Sequence, residues 1–186
     1  MTIAGTGKGP TRRQAIAGAI IMSAGVAMRP ARIRAEGEEI SHTAESIHQE
    51  TQYSASRERV FDALMSTKQF DRIIHIASGR DITSLGTEPT AISRDVGGAF
   101  TIFGGHILGR NIELVVNQRI VQAWRVADWA PGLYSIARFE LVEQGGGTRI
   151  IFDHTGFPQG LGQHLADGWR SHYWQPLEKF LAESSH

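Results

Sequence analysis

The sequence predicts an α+β fold: a curved antiparallel sheet of about seven strands, two short helices after the first strand, and a long C-terminal helix packed across the sheet. Three observations carry this expectation. Between residues 90 and 155, short runs of alternating apolar and polar residues are separated by Gly97-Gly98, Gly104-Gly105, Asn117-Gln118 and Gly145-Gly146-Gly147, the punctuation of hairpin-linked strands. Leu161, Leu165, Trp169, Tyr173, Leu177 and Leu181 recur every four positions, which marks one buried stripe on a helix. Ahead of both, Val60, Phe61 and Leu64 follow the Ser54–Glu58 segment, whose serines supply N-cap chemistry for a helix.

Residues 1–35 hold six basic residues (Lys8, Arg12, Arg13, Arg29, Arg32, Arg34) and no acidic one. Thr11-Arg12-Arg13 precedes an uncharged run from Gln14 to Met28, too short for a comfortable transmembrane helix, and a basic segment ending at Ala35 follows. The segment reads as an export signal and resembles the bacterial twin-arginine type, departing from it at Ala15, where Phe is usual, and at Ala17, where Lys is common. The resemblance implies a twin-arginine export machinery as partner of the precursor and a periplasmic location. An uncleaved anchor and a basic tail stay open as alternatives. Gly5-Thr6-Gly7-Lys8-Gly9 lacks the spacing and the preceding strand of a phosphate loop.

Residues 36–45 are polar and mostly charged, a linker. A first strand starts at Ser46 or Ile47 and runs to Tyr53; the Val60 helix and a second helix over residues 67–76 follow. Strands are then expected at 90–95, 99–103, 106–116, 119–126, 134–143 and 148–155. Alternation turns Ile112, Leu114 and Val116 inward, with Ile120, Gln122 and Trp124, and with Ser135, Ala137, Phe139 and Leu141; Glu113, Arg125, Arg138 and Glu140 face water. Gly156–Gly160 reads as a break. Pro176 lies within the last helical pattern, where a missing N–H forces a kink or a new segment.

Without the leader, thirteen basic and nineteen acidic residues leave a net charge of −6. An acidic body with no basic stripe argues against nucleic acid, whose phosphates must be neutralised. The chain has no cysteine, which removes disulfides, thiolate metal sites and cysteine nucleophiles. His164 and His172 are two helical turns apart, too far to share one metal on one helix. No Gly-x-Ser-x-Gly, His-Glu-x-x-His or dinucleotide fingerprint follows the leader.

What remains is a hydrophobic interior. Phe61, Phe100, Ile102, Trp124, Phe139, Phe152, His154, Leu165, Trp169 and Tyr173 are the candidate contacts for a small hydrophobic or aromatic ligand between sheet and helix; ordinary core packing is the alternative for each. His154 shares a strand face with Ile150 and Phe152, while Asp153 points away. It is a general base acting with water, a polar contact for a ligand, or a histidine hydrogen-bonded for structure. Asp128-Trp129 closes the mouth of a pocket or packs on Pro131. No catalytic residue, metal or cofactor is assigned.

The order strand, two short helices, six strands, long helix resembles the START-like or Bet v 1-like helix-grip superfamily. Ser56-x-Glu58-x-Val60-Phe61-x-Ala63-Leu64, Asp95-Val96-Gly97-Gly98-x-Phe100, Ile120-Val121-x-x-Trp124-Arg125, Gly147-Thr148 and Gly168-Trp169 are similar to the AHSA1 branch, named for a domain that activates the Hsp90 ATPase. The resemblance spans about residues 46–183. It implies a helix-grip domain and a function among ligand carrier, co-chaperone, or cyclase- or hydrolase-like enzyme; the leading expectation is an exported ligand-binding domain, monomeric or weakly dimeric.

Overall fold

The structure, a computed structural model, describes residues 44–78 and 86–183; the leader with Arg12 and Arg13, and the linker to residue 43, lie outside them. Strand β1 (Ala44–Tyr53) is followed by α1 (Arg57–Met65) and α2 (Thr67–Ser78). Strands β2 (Ala91–Ile92), β3 (Ala99–Ile102), β4 (Ile107–Val115), β5 (Arg119–Val126), β6 (Ser135–Gln144) and β7 (Gly147–Pro158) come next. The chain ends in α3 (Gly162–Trp169), a π-helical turn (Arg170–Trp174) and α4 (Gln175–Glu183). All neighbouring strands are antiparallel, in the order β1-β7-β6-β5-β4-β3-β2. This is the helix-grip architecture expected from the sequence.

Local chemistry explains the helix starts. The Ser56 hydroxyl accepts from the Arg59 N–H and the Ser66 hydroxyl from the Gln69 N–H, each satisfying a donor that the first turn leaves open. Helix α3 has no such cap of its own. Instead Glu45, on β1, accepts from the Gly160 N–H at 2.6 Å and the Gly162 N–H at 2.8 Å, placing a carboxylate at the positive end of the helix. The first strand begins two or three residues earlier than expected, and Glu45, paired with Phe157, belongs to it rather than to a linker.

Two bulges set the faces of the sheet. In β4 the register shifts between Asn111 and Glu113, so Ile112 is the extra residue and alternation restarts after it. Ile112 is therefore not inward, and Val116 lies past the end of β4 in the turn: they are 46% and 66% exposed, while Ile107, Asn111 and, partly, Leu114 face the core. Buried Asn111 holds the phase, donating to the Ser93 carbonyl at 2.7 Å and accepting from Gln122 Nε2 at 3.1 Å. In β7 the strand runs through the expected break, because Gly156 adopts φ +79 and the register with β1 shifts at that point. Strand β2 is shorter than expected, with only Ala91 and Ile92 paired.

The inward faces of β5 and β6 hold Ile120 and Trp124, and Ser135, Ala137, Phe139 and Leu141, all buried. On the other face, Arg119 pairs with Glu113 and Glu140, Arg138 with Glu140, and Arg149 with Glu50. One face is dry and one is wet, as the alternation requires.

Candidate functional site

A stripe with a spacing of four drifts about 40° per step on an α-helix of 3.6 residues per turn. The π-helical turn absorbs that drift: the Gln175 N–H reaches back five residues to the Arg170 carbonyl, widening the helix for one turn. It stands just ahead of Pro176, which has no N–H to continue an α-helical ladder, so α4 starts as the second segment that the proline demanded. The turn brings Trp169, Tyr173 and Trp174 inward together. Trp174 and the edge strand are then joined: its indole N–H donates to Gln49 Oε1 at 2.5 Å, and Gln49 Nε2 donates to the Ala166 carbonyl at 2.9 Å.

Trp169 sits at the centre of an aromatic cluster. Its ring lies 4.1 Å from Tyr173, 4.3 Å from Phe152, 5.6 Å from Trp124 and 5.8 Å from Phe139, centroid to centroid, and it stacks on Trp174. His154 is enclosed in this cluster. The Trp169 indole N–H donates to His154 Nδ1 at 2.9 Å, and His154 Nε2 lies 2.7 Å from the Ser135 hydroxyl. An indole N–H can only donate, so Nδ1 is the acceptor and the proton sits on Nε2, which donates to Ser135; the Ser135 hydroxyl donates to the Trp124 carbonyl at 2.9 Å. Both ring nitrogens are thereby occupied. Burial without a carboxylate beside it pushes the His154 pKa down to about 3. A neutral imidazole with both nitrogens engaged holds strands and helix together and has no lone pair left for a general base.

A cavity of about 20 Å³ lies beside this cluster, where the sheet meets α1, α2 and the π-helical turn. Leu64 and Met65 close it from α1 and Phe70 from α2; Ile92, Phe100, Ile102, Ile120, Gln122 and Phe139 form its sheet side, and Tyr173 its wall on the C-terminal helix. That volume is enough for one water, which needs about 10–15 Å³, and far below the roughly 300 Å³ of a small-ligand pocket. No charged side chain lines it. Phe100 is admitted because its cross-strand partner is Gly109, where a Cβ would stand 2.2 Å from the Phe100 ring. Phe103, next to the cavity, holds φ +52, a strained backbone for an aromatic residue, with its ring 5.4 Å from Tyr173.

The ten residues anticipated as ligand contacts are all buried, and they fall into three groups. Phe100, Ile102, Phe139 and Tyr173 line the cavity. Trp124, Phe152, His154 and Trp169 form the aromatic cluster behind it. Phe61 and Leu165 are core residues of α1 and α3 outside the lining. Sequence reasoning did not select Leu64, Met65, Phe70, Ile92, Ile120 and Gln122 as lining, or Ser135 as the partner of His154. The second was within reach, since two polar residues on inward faces of adjacent strands need one another. Trp129 is half-buried, its ring 5.6 Å from Trp124. His172 is held below the ordinary histidine range by burial and then by His106 and His164. Among the described residues no group of three or more His, Asp or Glu is placed to hold a metal ion.

The family model described as Activator of Hsp90 ATPase homolog 1-like protein matches residues 54–182. The chain belongs to this family. Among curated proteins, the AHSA1-like domain is 27% identical over 93 residues to mouse activator of 90 kDa heat shock protein ATPase homolog 2, covering 50% of this chain and 28% of that protein. It is 24% identical over 91 residues to the human homolog 1, covering 49% and 27%. The chain thus spans less than a third of these relatives. Among solved structures, an Hsp90 activator from Plasmodium falciparum superposes with a TM-score of 0.61 at 22% identity, covering 75% of this chain and 96% of that one. The Aha1 dimer from Colwellia psychrerythraea gives 0.58 at 17% identity, covering 76% and 99%. At these identities the superpositions establish the AHSA1-like fold alone.

Proposed function

We propose that the domain binds a small, mainly apolar molecule between the sheet and its helices, at the cavity walled by Met65, Phe70, Phe100, Ile120 and Tyr173, as a monomer or weak homodimer and without a cofactor. The carrying observation is the position of that gap. It lies where α1, α2 and the C-terminal helix meet the sheet, beside a π-helical turn and a strained Phe103, features that concentrate at functional sites. At about 20 Å³ the gap is too small for such a molecule as it stands. Admission of a ligand requires Met65 and Phe70 to swing away, and Met is well suited to this, being unbranched and adaptable. The test is a screen of fatty acids, aromatics and isoprenoids by thermal shift and tryptophan emission. At least one class is expected to raise the melting temperature with micromolar affinity; no response across all three sinks the reading.

The names of the curated relatives favour a second reading, in which the domain assists an Hsp90-type ATPase. The two readings divide on compartment, because the Arg12-Arg13 leader supports export to the periplasm, where an ATP-driven chaperone has no supply of ATP. Fractionation of cells carrying the parent precursor or an Arg12→Lys, Arg13→Lys precursor separates them. The ligand reading expects the parent outside the cytoplasm and the Lys-Lys form retained, since a receptor reads the pair rather than its charge. A parent chain that stays in the cytoplasm favours the chaperone reading.

A further inference from the structure

Two buried polar atoms beside the cavity have no hydrogen-bond partner, the Trp124 indole Nε1 and the Tyr173 hydroxyl. Trp124 is 3% exposed and Tyr173 7%, so neither is completed by bulk water. Tyr173 belongs to the cavity wall. Burial drives its hydroxyl pKa up, and the Trp124 N–H is near enough to pull it back down, yet the two atoms close no bond of normal geometry. Nearby polar groups behave differently: His154, Ser135, Asn111 and Gln122 all have partners. Among the described residues the other buried side-chain atoms without a partner belong to Arg59 and Arg149, outside the cavity lining, so the Trp124–Tyr173 pair is the one placed where something else can bind.

The chemistry of the pair specifies its complement. An indole N–H is only a donor, while a phenol both donates and accepts. If Trp124 turns its N–H onto the Tyr173 oxygen, the Tyr173 proton is left to donate; if it does not, both groups donate. In either arrangement the site offers a donor and asks for an acceptor. No charged side chain lines the cavity to balance a carboxylate, and taking such an anion out of water unpaired is prohibitive. An alcohol would accept as well, but its own O–H would then need the Gln122 Oε1 or the Tyr173 oxygen as acceptor, a second demand that a carbonyl does not make. We infer that the ligand is a neutral molecule with an apolar body and one carbonyl oxygen, received by the Tyr173 hydroxyl together with the Trp124 N–H. This rests on the ligand reading above and names the class of molecule that the same site takes.

Acetophenone, 1-phenylethanol and ethylbenzene share one shape and differ at one atom position. Titration of the protein with each by calorimetry is expected to give acetophenone about five- to tenfold tighter than ethylbenzene, the value of one hydrogen bond, with the alcohol between them. In Tyr173→Phe that ratio is expected to fall to about one. The infrared carbonyl stretch of bound acetophenone gives a second readout that needs no variant, and it is expected below its position in hexane. Equal affinities for ketone and hydrocarbon, a preference that persists in Tyr173→Phe, or an unshifted stretch overturns the acceptor inference and leaves the ligand reading in place. If none of the three binds, and the wider screen is also silent, both fall together.

Discussion

Trp169→Ala is expected to destabilise the domain by about 3–5 kcal/mol, the range for removing a large buried aromatic side chain, and so to consume a large part of a typical total of about 5–15 kcal/mol. Trp169 is 2% exposed and touches Trp124, Phe139, Phe152, Tyr173 and Trp174. The substitution also strips His154 Nδ1 of its donor. Urea unfolding followed by circular dichroism measures the effect without relying on the deleted fluorophore. A loss under about 1 kcal/mol would mean that the C-terminal helix does not lock onto the sheet as described. Trp169 is not part of the cavity wall, so the variant separates stability from ligand contact, which Tyr173→Phe addresses.

Replacement of His154 by Leu is expected to cost about 1–3 kcal/mol at pH 7, since the Trp169 N–H is left buried without an acceptor. The parent protein carries a pH signature that this variant lacks. Folded His154 titrates near 3, against an ordinary value of 6.5. Between those values the unfolded chain takes up a proton that the folded one refuses. The contribution is therefore intact above pH 6.5 and is lost as pH falls toward 3, by up to about 1.4 kcal/mol for each pH unit. Denaturation midpoints from pH 7.5 to 4 are expected to fall more steeply for the parent than for His154→Leu. Parallel profiles would contradict the neutral, doubly bonded histidine.

The sheet and its helices were legible because alternation and four-residue spacing report directly which side of an element is dry. Ser135, Ala137, Phe139 and Leu141 follow the alternation without interruption, and so does His154. Where one extra residue enters, the phase slips by one: Leu114 keeps its expected side, but Ile112 is a bulge residue, and nothing in its local sequence separates it from an inward one. Gly156 resembles a stop signal because glycine suits both a turn and a bulge. The π-helical turn left a trace in the strict spacing of four, which a plain α-helix cannot keep on one face, and Pro176 announced where the helix must restart. The size of the interior gap left no trace, because volume depends on how Met65, Phe70, Phe100 and Tyr173 fill space together. Of the residues anticipated as ligand contacts, Phe100, Ile102, Phe139 and Tyr173 reach the cavity.

A crystal structure of the protein with the tightest-binding compound from the screen addresses the proposed function most directly. The account predicts density for that compound between Phe100, Ile120 and Tyr173, with Met65 and Phe70 displaced from their present positions and the Trp169–His154–Ser135 chain unchanged. A compound lodged on the outer face of the sheet or at a loop, over an interior still closed around 20 Å³, would contradict it.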